Sequence, residues 1–169
     1  RLVGSEMCIR DRASGTTIHA LARNIHPESR LTVVTASLQV AEALAPLDTI
    51  DLIQLGGLVR HTSLSVVGKY AEMILSGFSF SKLFLGVDGI DLEFGISTTD
   101  MREAEINRAM MQTAQKTIVL ADSTKFGRRG FAKISNIEDI DMIITDNRLP
   151  MPIRQQIEAM GIDIVTVEE

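Results

Sequence analysis

Tryptophan is absent from this chain, and aromatic residues of any kind make up only 4% of it. The core must therefore be built from aliphatic side chains. Cysteine occurs once, at Cys8, which excludes a disulfide framework and makes a reducing cytoplasm the expected compartment. The three histidines, His19, His26 and His61, show no metal-ligand spacing, so neither a metal nor a cofactor is expected. No apolar run approaches the roughly 20 residues that a membrane helix needs, which leaves no expected membrane partner. Positive charge is also short: 17 Lys and Arg face 22 Asp and Glu, a formal charge of -5. Duplex binding relies on clustered Lys and Arg, so this stretch is not expected to carry a nucleic-acid surface of its own.

What is present is a strand–helix alternation. The 169 residues suit one domain with a substantial core, and 45% are hydrophobic. Apolar, β-branched runs at Leu31-Thr32-Val33-Val34-Thr35, Ile50 to Leu55, Lys82 to Val87, Thr117 to Ala121, Asp141 to Thr145 and Asp163 to Val167 read as short strands. Between them the apolar period becomes helical. Ile18, Leu21, Ala22 and Ile25 make one stripe, and Val40, Ala43, Leu44 and Leu47 a second. A third helix is expected from about Val66 to Phe78, with Val67, Tyr70, Ala71, Ile74, Leu75 and Phe78 facing inward. A fourth begins near Asp100. Pro152 stands where the last helix should start, and Gly161 where it should stop. Strands that are apolar on both faces and alternate with helices predict an α/β fold, a largely parallel sheet covered by helices.

Residues 1–12 fit this pattern poorly. They show neither period and end in three consecutive charges, Arg10-Asp11-Arg12. They read as a foreign or non-native segment ahead of a domain at 13–169, the alternative being a short strand at Glu6 to Ile9.

The polar residues gather where strands give way to helices. Ser14-Gly15-Thr16-Thr17 opens the first helix, and such a turn can cradle an anion or simply cap. Thr35-Ala36-Ser37 follows one strand, with Ser37 as the expected N-cap, and Gly56-Gly57 closes the next. The stretch from Lys82 to Glu105 is the centre of interest. A buried strand leads into Asp88-Gly89-Ile90-Asp91, read as a sharp acidic turn. The loop Phe94 to Thr99 then delivers the chain to a helix with an Asp100-Met101-Arg102-Glu103 capping box. Asp88, Asp91 and Glu103 either form a carboxylate cluster or serve turn and cap chemistry. Lys125, in a glycine-bounded basic loop, either meets an anion or is solvated.

Taken in order, these stretches resemble the C-terminal effector-sensing domain of the DeoR family of bacterial transcriptional repressors. They are Ser14 to Thr17, Thr35-Ala36-Ser37, Gly56-Gly57, Leu85 to Asp91, Gly95 to Thr99 with Glu103, Ala121 to Gly127 and Ile143 to Asp146. The resemblance covers nearly all of 13–169. It implies a fold similar to ribose-5-phosphate isomerase and the CoA-transferase-like group, and binding of a phosphorylated sugar or related intermediate. It further implies that the ligand controls operator DNA through a helix-turn-helix domain missing from this stretch, and that the protein acts as a homo-oligomer. Carried across position by position, Ser14, Gly15, Thr16 and Thr17 would hold phosphate, with Thr35, Ser37, Gly56 and Gly57 lining the pocket. Asp88 and Gly89 would read the sugar with Glu103 beside them, and Lys125 would complete the anion's surroundings. The family places an apolar strand ending in Asp before the Ser-Gly-Thr-Thr turn. Arg10-Asp11-Arg12-Ala13 departs from that, which puts the first strand in doubt.

The rival reading is an aldose–ketose sugar-phosphate isomerase on the same fold. That chemistry calls for a carboxylate base and a group that stabilises an enediolate. The isomerases carry a lysine followed by glycines where this chain reads Phe94-Gly95-Ile96-Ser97, and no lysine lies between Lys82 and Lys116. Binding without catalysis is therefore expected.

Overall fold

The computed structural model of the protein describes residues 6–10, for which only the backbone is described, and residues 30–168. The expected Ser14 to Thr17 turn and the Ile18 to Ile25 helix lie outside the described residues. Twelve described strands follow in order: β1 Glu6–Arg10, β2 Leu31–Thr35, β3 Ile50–Gln54, β4 Leu58–Arg60, β5 Ser65–Val67, β6 Phe80–Gly86, β7 Gly89–Asp91, β8 Gly95–Thr98, β9 Ala114–Leu120, β10 Ala132–Ser135, β11 Met142–Asp146 and β12 Asp163–Val167. The described helices are α1 Leu38–Leu44, α2 Lys69–Leu75, α3 Met101–Thr113 and α4 Met151–Ala159.

Seven strands form one sheet in the order β12-β11-β9-β6-β1-β2-β3. Every pairing within it is parallel. The α/β expectation holds, and its physical basis is visible in β6. Leu83 and Leu85 join the core on one face while Phe84 joins the core on the other, as the two-residue period of a strand requires. Ala71 of α2, Ala104, Ile106 and Met110 of α3, and Ile157 of α4 pack with the first core. Val40 and Leu44 of α1 pack with the second. Leu85 is 0% exposed in a strand paired on both sides. Leu85→Ala is expected to cost about 3 kcal/mol, read as a fall in the urea midpoint, because the cavity it leaves can collapse only in part. An unchanged midpoint would put β6 outside the core.

Four expectations need correction. Glu6–Arg10 is not outside the fold: it lies between β2 and β6 in the middle of the sheet. Its apolar run, Met7-Cys8-Ile9, is only three residues between charges, too short to register as a period. Val66 and Val67 belong to β5, which pairs with β4 in a hairpin, and α2 starts only after Gly68. Gly68 has φ +98°, a conformation that breaks a helix and suits glycine. Tyr70 is consequently turned outward, 74% exposed, and Ile74 is exposed as well. Leu47 does not join Val40 and Leu44 inside, because α1 stops short of Pro46, and Ala43, within α1, is exposed. Finally, the supposed Asp88–Asp91 turn and Phe94–Thr99 loop contain β7 and β8, which join β10 in a small antiparallel sheet.

Candidate functional site

Because the seven strands are parallel, all of their C-terminal ends lie along one edge. The chain builds outward from β1 through β2 to β3, then returns to the other side of β1 and continues through β6, β9, β11 and β12. The winding reverses between β1 and β6. In open α/β sheets ligands bind at such a reversal, outside the carboxyl ends of the strands. The described candidate residues sit on that edge: Thr35 and Ser37 after β2, Gly56 and Gly57 after β3, Asp88 and Gly89 after β6, and Lys125 after β9. The chain leaves β1 on the same edge at Arg10. Ser14, Gly15, Thr16 and Thr17 follow it but fall outside the described residues.

Local sequence fixes these positions. Ser37 caps α1 by accepting the Val40 N–H at 3.3 Å, and its own N–H donates to the Thr35 hydroxyl at 3.1 Å. Both residues are buried. Gly57 packs against β5, where a side chain would meet Val66 Cγ1 at 3.1 Å. Gly89 is dictated by close approach: a Cβ there would stand 2.4 Å from the Arg128 carbonyl and 2.8 Å from Ser97 Oγ. The segment after β9 thus lies directly against the acidic turn, and Gly127 donates its N–H to the Ile90 carbonyl at 2.7 Å.

The centre is a chain of polar groups running through Glu103. Thr98 donates its hydroxyl to Asp88 Oδ2 at 2.8 Å and stands 3.4 Å from Glu103 Oε2. One hydroxyl hydrogen cannot serve both, and the shorter contact takes it. Ser65 donates to Glu103 Oε1 at 3.3 Å and shares a 2.8 Å hydrogen bond with Ser63. Arg60 Nη1 lies 2.7 Å from Glu103 Oε1, and Arg60 Nη2 3.6 Å from Asp100 Oδ2. Asp100 is also the N-cap of α3, accepting the N–H groups of Arg102 at 2.9 Å and Glu103 at 3.3 Å. Burial pushes the Asp100 carboxyl up. The Arg102 side chain, the two capping N–H groups and Arg60 outweigh it and hold the carboxyl below its usual range.

The proposed carboxylate cluster is therefore divided. Asp88 and Glu103 are joined through Thr98, but Asp91 faces elsewhere. Its carboxylate accepts the N–H groups of Phe94 at 2.7 Å and Glu93 at 3.0 Å and pairs with Arg129 at 3.2 Å. The Phe94 N–H and then Arg129 hold the Asp91 carboxyl below its usual range. Arg129 also lies 5.7 Å from the Phe94 ring centroid, so this part of the basic loop is anchored although the Arg129 side chain is about half exposed. Within this network Ser63 and Ser65 carry no role in the sequence reading, and Thr98 enters it only as part of the loop Phe94 to Thr99. Nothing local marks Ser63 or Ser65, because each strand of the hairpin that carries them is only three residues long.

Lys125 ends a 3-10 turn, Ser123–Lys125, that Asp122 caps by accepting the Thr124 N–H at 2.8 Å. No carboxylate pairs with Lys125 among the described residues. Asp146, at the end of β11, fixes the same turn by accepting the N–H groups of Ser123 at 2.8 Å and Arg148 at 2.9 Å. Burial alone would raise the Asp146 carboxyl, but these bonds, the Ser123 hydroxyl and the Arg148 charge prevail. Its pKa falls from 3.8 to about 2. A folded value below the unfolded one stabilises at higher pH. The contribution is complete above about pH 4 and is lost as pH falls through about 2. Asp146→Asn is expected to flatten the acid limb of the melting temperature across that window. An unchanged acid limb would mean that another carboxylate sets it.

The comparison with known families decides the assignment. The family model described as the DeoR C terminal sensor domain matches residues 3–147. The chain belongs to this family. As a DeoR-family sensor domain it is 38% identical over 156 residues to a putative aga operon transcriptional repressor of Escherichia coli O157:H7, covering 92% of this chain and 58% of that protein. It is 34% identical over 152 residues to the HTH-type transcriptional regulator GlpR of Haloferax volcanii, covering 90% of this chain and 59% of that protein. It is 28% identical over 156 residues to the HTH-type transcriptional repressor GlcR of Bacillus subtilis, covering 92% and 60%. These relatives are named as regulators, not as enzymes. The sensor domain spans about three-fifths of the length of the curated relatives it matches. The family match begins at residue 3, ahead of β1.

Proposed function

We propose that this sensor domain binds a phosphorylated sugar or a related catabolic intermediate and thereby controls operator binding by a helix-turn-helix domain of the parent protein, in a cytoplasmic homo-oligomer. One observation carries the reading: Thr35, Ser37, Asp88, Gly89 and Lys125 follow different strands yet share the carboxyl edge of one parallel sheet, around its winding reversal. The hydroxyls, the Lys125 ammonium and the Ser14-Gly15-Thr16-Thr17 sequence that follows β1 suit the phosphate, while Asp88 suits sugar hydroxyls. The names of the relatives, which include HTH-type regulators and repressors, support the regulatory part. A ligand shifts such a regulator only by its differential affinity for the two states. A coupling of about 1–3 kcal/mol changes operator affinity by roughly 5–150-fold.

A thermal-shift screen against phosphorylated sugars, each beside its free sugar, tests the reading. A ligand at 100 times its dissociation constant stabilises by about 2.7 kcal/mol, which is readily seen. A shift with a phosphosugar and none with its free sugar supports the proposal; no shift with any phosphosugar contradicts it. Lys125→Ala is expected to weaken the shift while barely moving the melting temperature of the free protein, since a loop lysine contributes little to the core. Unfolding by that substitution would make Lys125 structural and remove it from the site.

A further inference from the structure

Arg60 has one buried donor nitrogen, Nη1, without an aligned acceptor. Its side chain is 14% exposed, in the hairpin that faces the start of α3. Glu103 and Asp100 neutralise its charge at 2.7 and 3.6 Å, yet Nη1 is buried with no aligned hydrogen-bond acceptor. A guanidinium carries five N–H groups in a rigid fork, and buried donors are ordinarily hydrogen-bonded. A mostly buried arginine that is charge-neutralised yet not fully hydrogen-bonded is able to turn its fork toward an acceptor that is not part of the protein.

Its surroundings point to the chemistry of that acceptor. The line of contacts Asp88–Thr98–Glu103–Arg60 places a carboxylate acceptor at one end and a donor fork at the other. A sugar hydroxyl both donates and accepts, so different hydroxyls of one sugar satisfy a carboxylate and a guanidinium together. Asp88, Asp100 and Glu103 outnumber Arg60 in charge, which disfavours seating a phosphate here and favours the uncharged end of the ligand. Glu103 is 3% exposed and already engaged by Arg60 and Ser65, with the Thr98 hydroxyl oxygen beside it.

We propose that Arg60 contacts the hydroxyl-bearing end of the ligand, and that Glu103 is a positioning residue that holds Arg60 and Thr98 in place rather than touching the ligand. The proposal rests on the phosphosugar reading above. It assigns selectivity among phosphosugars to the β4–β5 hairpin.

Calorimetric titration separates the possibilities. The probes are glucose 6-phosphate, fructose 6-phosphate, ribose 5-phosphate and inorganic phosphate. Arg60→Lys keeps the charge beside Glu103 but loses the fork. It is expected to weaken the best-bound phosphosugar about tenfold or more while leaving inorganic phosphate within about twofold, since only the sugar contact is lost. Glu103→Gln is expected to weaken the phosphosugar in the same selective way. The two substitutions together should cost less than the product of their separate effects, because they act on one contact. If Arg60→Lys does not fold, Arg60→Met combined with Glu103→Gln removes both charges and is read in the same way. Equal weakening of phosphosugar and phosphate would overturn the proposal, as would unchanged phosphosugar affinity or full additivity. A wild-type domain that binds no phosphosugar of the panel removes the parent reading, and this inference with it, before any variant is compared.

Discussion

Cys8→Pro is expected to abolish the cooperative unfolding transition of the domain. Cys8 lies opposite Val34 of β2 on one side and Leu83 of β6 on the other, so its strand is paired along both edges. Proline has no N–H to give to such a ladder, and its fixed φ suits edge strands and bulges rather than a central parallel strand. The consequence extends beyond one hydrogen bond. β1 alone joins β2 and β3 to the other four strands of the sheet, so losing it divides the sheet in two. It also removes one wall of the winding reversal, and stabilisation by phosphosugars should vanish with it. Circular dichroism during urea unfolding is the direct measurement. Cys8→Val keeps the N–H and suits a strand, and it should retain a single transition. A normal transition in Cys8→Pro would put residues 1–12 outside the folded unit and leave 13–169 as the domain.

That substitution falls where the sequence was hardest to read. The parallel strands β2, β6, β9 and β11 were legible because burial on both faces imposes continuous apolar runs such as Ile118-Val119-Leu120. β1 was not, because a short central strand is held by the backbone ladders of its neighbours and Met7-Cys8-Ile9 offers no period. In the small sheet β10 carries no reading at all, while β7 and β8 read as turn and loop for a related reason. Its glycines, Gly89, Gly95 and Gly130, are there because other backbone comes so close that a Cβ would meet carbonyl oxygens at 2.1–2.6 Å. In sequence that requirement is indistinguishable from a turn signal. The edge location of Thr35, Ser37, Asp88 and Lys125 could be anticipated from strand-to-helix junctions. The partners of Glu103 could not. A capping-box glutamate is expected to turn back on its own helix, whereas this one is drawn toward Arg60, 43 residues earlier in the chain, by a hairpin that no local pattern announced.

Arg60→Met is expected to destabilise the domain by about 3–5 kcal/mol, a large share of the total stability of a domain this size. The reason is what it leaves behind. Glu103 is 3% exposed, and the described groups left beside it, Ser65 and Thr98, are neutral hydroxyls, one of which already gives its hydrogen to Asp88. A carboxylate in that position has lost the close positive charge of Arg60 without regaining water, and breaking a buried pair from one side costs more than the pair itself contributed. Asp100 also loses a nearby positive charge, but its capping N–H bonds and Arg102 remain. The double variant Arg60→Met with Glu103→Gln tests this account. With both charges gone the site holds a thioether beside an amide that can still bond Ser65 and Thr98, so the double variant should be more stable than Arg60→Met alone. Urea midpoints of the four proteins in the cycle give the coupling directly. A double variant that is weaker by the sum of the two single losses would show that Arg60 and Glu103 support the fold separately. The contact between hairpin and helix would then rest on packing, with no role for the charge pair.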